Sequence, residues 1–497
     1  MSELPSGWAL TMIGEVADVE SGFGFPKDMQ GKVDGDYPFA KVSDISRAVA
    51  VLGGELRTAA NFVDEGDLKS LRAKPVPAGS VVFAKIGEAL RLNRRATVRV
   101  PLVLDNNCMA LIPKAMGIES RYLYRFMTTV DLSPFAVATS VPSVRKGDVE
   151  GIGLALPPLA EQRRIVAKLD ALTARTAHAR ADLDRIPALA AGYKQAVLAK
   201  AFSGELTAEW RTDKSNLMSA RAVRAAVRES WLAAQAPISR RRGPIADPET
   251  GRKPLELGPL PDTWVQMDLA SVTDPARLIQ YGILKPGDHI DGGVPYVKVM
   301  NIKGGVVELD KIRRTTPEIH EAYRRSSLRE GDLLLTIRGT VGRLAEVPAE
   351  LDGGNITQDS VRIAVLPVVS RRFIYWFMHS PAAQEYFRAN QKGVAVRGIN
   401  VGDVRPMEVP VCSREEQDEI VRRVDHAMVE IDRLTAEAAA ARRLLDRLDQ
   451  AILAKAFRGE LVPQDPADEP ASVLLDRIRA KRAAAPKARR GRKVAAA

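Results

Sequence analysis

Cysteine is scarce in this chain: its 497 residues include two, Cys108 and Cys412, far apart in the sequence. Such a pair predicts neither a disulfide framework nor a structural zinc site, and a reducing cytoplasm is the expected compartment. No segment approaches the roughly 18 uninterrupted apolar residues of a membrane-spanning helix. The beginning, MSELPSGWALTMIG, lacks the basic and apolar regions of a secretory signal. We therefore expect a cytoplasmic protein without a membrane partner.

Motifs that mark catalytic or nucleotide-binding centres are also missing. There is no GxxxxGK(S/T) phosphate loop and no GxSxG nucleophile turn. The histidines show no metal-ligand spacing such as HExxH; they are His178, His289, His320, His379 and His426. The sequence therefore predicts no catalytic residue, no metal site and no cofactor bound by this chain.

Positive charge is in excess, with 73 Lys and Arg against 62 Asp and Glu, a net charge of +11. An excess of this size favours a nucleic-acid partner, because phosphate contacts supply most non-specific affinity. The alternative explanation is an Arg-rich and Ala-rich composition, which is common in proteins encoded by GC-rich genomes. Part of the surplus lies in the basic tail KRAAAPKARRGRK, Lys481 to Lys493, which is expected to be disordered.

A long internal repeat organises the chain. LAKAFSGEL begins at Leu198 and LAKAFRGEL at Leu453, 255 residues later, and EQRRIVAKLD at Glu161 is followed at the same offset by EQDEIVRRVD at Glu416. Earlier in each half the offset varies, as for PFAKVSDI at Pro38 and PYVKVMNI, which begins 257 residues later. Insertions were accepted in the first part of each half and excluded from the second, which predicts a variable globular domain followed by a rigid segment, twice.

The rigid segments carry a heptad pattern of apolar residues, typical of long helices that pack along their length. We expect the two helices to pair through Ile165, Leu169, Leu172, Leu183, Ile186, Ile420, Val424, Ile431, Leu434, Leu445, Leu448 and Ile452. Pro187 falls inside the first segment and is expected to kink or break that helix.

The expected fold class is α+β: two mixed α/β domains joined by two long helices that form an antiparallel coiled coil, with a pseudo-twofold internal repeat. The expected domains are a first head at 1–157, a helical spacer at 158–206, a connector with a short helix and a Pro/Arg-rich loop at 207–259, a second head at 260–411, a second helical spacer at 412–462, and a short helix with the basic tail at 463–497. The repeated helix would set a distance between two copies of a binding head.

The ordered motifs LPSGW, PFAKVSDI, PPLAEQRRIVAKLD and LAKAFSGELTAEW, followed by a second set, resemble the DNA-specificity subunit of type I restriction–modification systems. The resemblance covers nearly the whole chain. It implies a non-catalytic subunit whose heads are target-recognition domains, each reading one part of a split, asymmetric site in double-stranded DNA. It also implies that the helices space the heads and bind two modification (methyltransferase) subunits, which use S-adenosylmethionine. Restriction subunits, which use ATP and Mg, would join them.

Base readout requires Arg, Lys, Asn and Gln at loop tips, with phosphate contacts fixing the register. The candidates for DNA contact in the first head are Lys41, Lys85, Arg91, Asn93, Arg94 and Arg95, and in the second Lys298, Arg338, Thr340, Arg343 and Gln358. Further candidates lie where each head rejoins its helix: Arg145 and Lys146, and Arg397 and Asn400. For each residue, an ordinary solvated side chain is the alternative.

Two other functions remain open at this point. A DNA-modifying enzyme with an unrecognised centre would bind S-adenosylmethionine or cleave DNA with a metal. A two-headed scaffold for proteins alone would show no salt-sensitive DNA binding.

Overall fold

The computed structural model describes residues 4–114, 117–136, 142–242, 255, 257–393 and 397–484. Most of the expected Pro/Arg-rich loop, from residue 243, and the tail beyond 484 lie outside these ranges. The chain divides into two compact units, one of Met1–Leu183 with Ala440–Ala497 and one of Asp184–Ala439. No helix in the described part of the chain combines the length and apolar character that a membrane crossing requires.

The first head is built of short strands and helices. Its strands are β1 (Ala9–Met12), β2 (Ala17–Ser21), β3 (Tyr37–Ala40), β4 (Glu55–Leu56), β5 (Asn61–Val63), β6 (Val81–Ala84), β7 (Arg95–Val98), β8 (Val103–Leu104), β9 (Cys108–Pro113) and β10 (Gly153–Leu156). Its helices are α1 (Ile13–Val16), α2 (Val42–Val51), α3 (Glu65–Leu71), α4 (Glu88–Arg91), α5 (Ser120–Thr129) and α6 (Lys146–Glu150). A sheet of order β2-β9-β6-β7-β4 forms the centre, with a second sheet of order β5-β3-β8 and the pair β1-β10. All four residues of β6 are buried, because this apolar strand is covered on both faces.

Three helices follow: α7 (Leu159–Phe202), α8 (Ala208–Thr212) and α9 (Ala220–Arg242). The expected break at Pro187 is wrong, since α7 continues through it. Proline removes one backbone donor and crowds the carbonyl one turn earlier. Here the helix is held by packing on both sides of that point, through Leu169 in the first unit and Leu198 in the second, both buried.

The second head contains the strands β11 (Val265–Asp268), β12 (Gln280–Tyr281), β13 (Val294–Val297), β14 (Ile302–Lys303), β15 (Val306–Val307), β16 (Arg313–Thr315), β17 (Leu333–Thr336), β18 (Leu344–Glu346), β19 (Asn355–Ile356), β20 (Ser360–Ile363) and β21 (Glu408–Val411). Its helices are α10 (Pro317–Ala322), α11 (Arg371–His379), α12 (Pro381–Ala389) and α13 (Val401–Val404). The sheets have the orders β12-β20-β17-β18 and β16-β13-β19, with the pairs β14-β15 and β11-β21.

The two heads share one topology, which confirms the predicted repeat of mixed α/β domains. In each, the first strand pairs antiparallel with the last, as β1 with β10 and β11 with β21. In each, a strand pairs antiparallel on one side and parallel on the other: β3 with β5 and β8, and β13 with β16 and β19. Gly22 and Gly282 lie where the chain crosses the parallel partner so closely that a Cβ would overlap the carbonyl oxygen of Asp105 or Ile356.

The chain continues with α14 (Arg414–Phe457) and α15 (Ala471–Ala484). In the first unit α7 and α14 run antiparallel: Ile165 shares a hydrophobic cluster with Ala456, and the Arg180 guanidinium contacts Asp446 at 3.0 Å and Asp449 at 2.6 Å. In the second unit they are again antiparallel. The Lys194 ammonium lies 2.5 Å from Asp432, and Arg423 donates to the Leu206 carbonyl at 2.8 Å. The predicted antiparallel helix pair is confirmed.

The apolar residues assigned to the helix seam differ in burial. Ile165, Leu169, Ile420, Val424 and Ile431 are buried, whereas Leu172, Leu183, Ile186, Leu445 and Ile452 are half-buried. Leu434 and Leu448 keep 53% and 47% of their surface exposed, so the helix pair does not cover them. Two helices alone do not cover the whole apolar stripe, so part of it stays exposed to solvent.

Candidate nucleic-acid interface

Three of the predicted DNA-contacting residues meet at one cleft in the second head. Arg338 follows β17, Gln358 lies between β19 and β20, and Asn400 precedes α13; together they line a cleft of about 290 Å³. Arg338 Nη1 lies 3.5 Å from Gln358 Oε1. Arginine, glutamine and asparagine are the side chains that bond two atoms of a guanine or adenine edge at once.

Backbone hydrogen bonds explain why these distant segments meet. The N–H groups of Ile337 and Arg338 donate to the Asp359 carbonyl at 2.8 and 3.2 Å. On the other side, Ile399 N–H donates to the Ile337 carbonyl at 2.8 Å. The end of β17 is thus held between the turn that carries Gln358 and the segment that carries Asn400. Arg397, also exposed, lies at the edge of the cleft, where its carbonyl accepts the Gly339 N–H at 3.2 Å.

The first head repeats this arrangement with different side chains. Lys85 N–H donates to the Asn107 carbonyl, and the Lys85 carbonyl accepts the Val144 N–H, each at 2.9 Å. Lys85 therefore holds the place of Ile337, and the exposed Arg145 holds the place of Asn400. Ile86 stands where the second head has Arg338. The exposed Asn106 occupies the turn between β8 and β9 that corresponds to the turn of Gln358.

Sequence reasoning missed two residues of these clefts. Asn106 lies in LDNNC, which follows β8 as TQDS follows β19, and this parallel between the halves could have revealed it. Tyr281, 39% exposed, lines the second cleft. Its position on the short strand β12 carries no distinguishing signal in the sequence.

The remaining candidates of the first head lie outside its cleft. Arg91 is exposed beside Glu88, 3.6 Å away, and Arg94 is half-exposed. Lys41 Nζ donates to Gln30 at 3.1 Å and lies 4.9 Å above the Phe25 ring. Lys146 is exposed, 3.8 Å from Glu150.

Arg95 corrects an expectation, because it is only 2% exposed and cannot reach a base. It points inward from β7, and its guanidinium donates to the carbonyls of Arg94 at 3.1 Å and Val130 at 3.4 Å. Burial lowers its pKa to about 10. Asn93, with φ +50°, accepts from Arg95 at 2.5 Å and donates to the Thr128 carbonyl at 3.2 Å, so it supports this buried arginine.

In the second head, Lys298, Thr340 and Arg343 also lie apart from the cleft lining. Lys298 is half-exposed, with Nζ 5.6 Å from the Tyr296 ring. The carbonyl of the exposed Thr340 accepts the Thr336 hydroxyl. Arg343 is exposed and donates to the Ile302 carbonyl at 3.4 Å, in a separate cavity that Trp376 also lines.

Each head is bonded to the start of its own long helix by a glutamine of the repeated Glu-Gln pair. Gln162 Oε1 accepts the Glu119 N–H at 2.8 Å, and its Nε2 donates to the Pro157 carbonyl at 3.0 Å. Gln417 makes the equivalent bonds to Ser370 and Cys412, each at 2.7 Å. Both glutamines are buried. They link the first turn of the helix to the N-terminus of α5 or α11 and fix each head's orientation.

The other half of the chain completes the core of each head. In the first unit the Phe457 ring, from the end of α14, lies 5.4 Å from Tyr122 and 5.6 Å from Phe126. In the second unit Phe202, from the end of α7, lies 5.2 Å from Phe373 and 5.3 Å from Phe377. These edge-to-face contacts seat the repeated KAF motif against α5 and α11.

Among the described residues, no group of three or more His, Cys, Asp or Glu side chains is arranged to hold a metal ion. Cys108 and Cys412 are both free and buried, and burial raises the pKa of each thiol. A thiol in such surroundings is not an activated nucleophile.

Comparison with known proteins gives one consistent result. Residues 5–187 match a family described as the type I restriction modification DNA specificity domain. The EcoBI specificity subunit of Escherichia coli is 27% identical over 96% of this chain and 93% of its own length. The EcoKI specificity subunit of Escherichia coli K12 is 24% identical, over 97% of each.

Solved structures share the fold. The HsdS subunit from Thermoanaerobacter tengcongensis superposes with a TM-score of 0.54 at 22% identity, covering 92% of this chain and 98% of that one. A chain from a study of complex assembly and conformational transition in a type I R-M system gives a TM-score of 0.60 at 22% identity, covering 93% and 100%. The likeness therefore includes both heads and both long helices.

Proposed function

We propose that this chain belongs to the family of type I restriction–modification specificity subunits and is the DNA sequence-specificity subunit of such a complex. The observation that carries the proposal is a meeting of three segments that both heads repeat. The same strand end and the same two neighbouring segments meet in both heads, at Lys85 and at the equivalent Ile337. Each head would read one part of a split, asymmetric site.

The side chains at the two clefts differ, which supports recognition of two different sequences. The first presents Lys85, Asn106 and Arg145, and the second Arg338, Gln358 and Asn400. Arg145 and Asn400 hold equivalent places, and an arginine pairs best with guanine whereas an asparagine pairs best with adenine. The two halves of the site should therefore be unrelated.

The helices would space the heads and dock the modification subunits. Two exposed apolar residues of α7 in the second unit, Leu189 and Tyr193, correspond at the 255-residue offset to Leu444 and Leu448 of α14 in the first unit. Exposed apolar patches mark interaction sites. The same surface presented twice supports binding of two modification subunits, one to each unit, and restriction subunits would join that assembly.

Methyl transfer and cleavage are assigned to those partners. S-adenosylmethionine would bind to the modification subunit, and ATP and Mg to the restriction subunit, while this chain would contribute no catalytic group. The assembly would act in the cytoplasm, where two reduced cysteines are stable. Methyl transfer to DNA by rigorously partner-free protein would favour an enzyme with an unrecognised centre instead.

The decisive experiment is methylation-site mapping in cells that express this chain with its modification subunit. We expect one bipartite motif with an unspecified spacer. Exchanging residues 260–411 for another head should change one part of the motif, and exchanging residues 1–157 should change the other. If one exchange changed both parts, the hypothesis that each head recognises its own part would be wrong. Methylation without any motif, or no salt-sensitive DNA binding, would favour a protein scaffold.

A further inference from the structure

Five arginines line a small cavity in the second head, away from the cleft. The cavity has a volume of about 300 Å³, and the arginines are Arg277, Arg324, Arg325, Arg329 and Arg362. Gln358 precedes β20 at the cleft, and Arg362 lies within β20, four residues later. β20 therefore connects the turn that carries Gln358 to the base of the cavity.

Some of these charges already have partners. Arg277 Nη1 lies 2.7 Å from Asp332, and Arg324 Nη1 lies 2.7 Å from Glu321. Arg325 and Arg329 are exposed, and neither side chain forms a hydrogen bond or ion pair with any residue in the part of the chain that the structure describes. One carboxylate, Asp352, shares the lining, and it accepts the Glu330 N–H at 3.0 Å.

Arg362 is the buried base of the cavity, only 2% exposed. Its guanidinium donates to the carbonyls of Ser327 at 3.0 Å and Leu278 at 2.9 Å, and its buried Nε has no partner among the described residues. Burial, with the nearby charge of Arg277, lowers its pKa to about 10. Asp332 and Asp274 already lie near enough to favour its charged form, and an anion bound in the cavity would stabilise it further.

The first head shows that the fold does not need this arginine. In the first head, Val82 of β6 pairs with Ala110 of β9. At the equivalent position of the second head, Leu334 of β17 pairs with Arg362 of β20. A buried alanine therefore stands where the second head has Arg362. The topology that the two heads share therefore does not require an arginine at this place.

The position of the cavity favours a particular ligand. β12 is the edge strand of its sheet. The segment that contains β12 starts beside the cavity, at Arg277 and Leu278, and reaches the cleft at Tyr281. Both sites thus open along one edge. Guanidinium groups pair bidentately with phosphate oxygens.

We propose that the arginine-lined cavity binds a phosphate group, supplied by the DNA backbone that flanks the bases read in the cleft. The DNA source rests on the proposed function of the head. Such a contact carries no sequence information; it fixes the register of the head on the duplex.

The test compares Arg325→Ala/Arg329→Ala with wild type in the complex with its modification subunit. Affinity for a duplex carrying the mapped site is measured between 50 and 200 mM salt. Each lost phosphate contact lowers the slope of log K against log salt by about 0.9. Between 50 and 200 mM salt, the fall in affinity should therefore be about tenfold smaller for the double variant than for wild type. The methylated motif should be unchanged.

Two controls separate charge at this place from charge in general. Lys303→Ala/Arg388→Ala removes two exposed cations of the same head outside the cavity and should keep the wild-type slope. Arg325→Lys/Arg329→Lys retains the charge and should restore it. An equal fall in slope for both alanine pairs would overturn the proposal.

A second measurement distinguishes the source of the phosphate. Inorganic phosphate is titrated into the DNA-free chain while its thermal unfolding is followed. An unchanged DNA slope, with a phosphate-dependent rise in Tm that the Arg325→Ala/Arg329→Ala variant loses, would overturn the DNA backbone as the source and identify a free phosphate. No effect in either measurement would overturn the site altogether. A wild-type complex that methylates no split motif would instead contradict the proposed function.

Discussion

Gln417 Oε1 accepts the backbone N–H of Ser370 at 2.7 Å, and this buried bond connects the second head to its long helix. Ser370 caps α11, the helix that packs against Phe202. Gln162 makes the same connection to Glu119, the cap of α5. The repeated Glu-Gln pair is therefore a joint between a reading head and its spacer, used once in each unit.

Replacing Gln417 with alanine should destabilise the second unit by about 2–6 kcal/mol. The substitution leaves the Ser370 N–H and the Cys412 carbonyl buried without partners, at about 1–3 kcal/mol each. Denaturant unfolding of the purified chain measures the loss. Gln195→Ala, an exposed substitution of the same type on α7 of the same unit, should change stability by less than about 0.5 kcal/mol. Equal effects of the two would show that the joint contributes nothing.

The two glutamates of the repeated pair should respond oppositely to neutralisation. Glu161 is buried, accepts from Trp8 Nε1 at 3.1 Å, and has its pKa raised mainly by desolvation. Glu416 is buried in an ion pair with Arg211. Glu161→Gln should be neutral or stabilising at pH 7, whereas Glu416→Gln should cost about 3 kcal/mol because Arg211 loses its counter-charge.

The pH dependence follows from the raised pKa of Glu161. The folded state binds this proton more tightly than the unfolded state does, so stability from this group is present below its ordinary pKa and is lost as pH rises through the folded value. Glu161→Gln should remove that dependence from the first unit. Thermal unfolding from pH 4 to pH 7 measures it, and an unchanged profile in the variant would rule out Glu161 as its source.

Single substitutions in the clefts should relax recognition in one half of the site only. Gln358→Ala should cost about 1–3 kcal/mol of discrimination at one base pair, because it removes paired contacts to a base edge. Asn106→Ala should do the same in the other half. Methylation mapping of each variant provides the readout. If the half read by the unaltered head changed instead, these residues would not be the ones that read bases.

Lengthening both helices should widen the unspecified spacer. Inserting seven residues after Ala181 and after Ala436 keeps the heptad stripe and adds about 10 Å to each helix. At about 3.4 Å per base step this corresponds to about three base pairs, with both halves of the motif unchanged. A four-residue insertion after Ala181 alone rotates the stripe and should impair assembly. If the spacer of the heptad variant is the wild-type one, these helices do not set the gap.

Local periodicity made the helices and the repeat predictable. The apolar spacing from Ile165 and from Ile420 needs no tertiary information, and both helices form. The break at Pro187 was not realised, because packing of both ends of α7 outweighed a local penalty. The charge of Arg95 suggested a base contact, but its inward direction on β7 depends on strand register, which the residue type does not reveal.

The sites were harder to predict than the elements. Arg338, Gln358 and Asn400 are spread over 62 residues, and only long-range backbone pairing brings them to one cleft. The arginine-lined cavity is assembled from segments between Ala276 and Arg362. Composition indicated an excess of positive charge without locating it.

The contribution of Phe457 to the first head has a consequence for biosynthesis. The first head ends 300 residues before Phe457, so at about 5–20 residues per second a ribosome needs about 15–60 s to supply that ring. Until then the faces of Tyr122 and Phe126 that Phe457 covers stay open. Phe202, by contrast, is translated before the second head and is waiting when Phe373 emerges. The head made first is therefore the last to complete its core, and nascent chains should depend on chaperones through this interval.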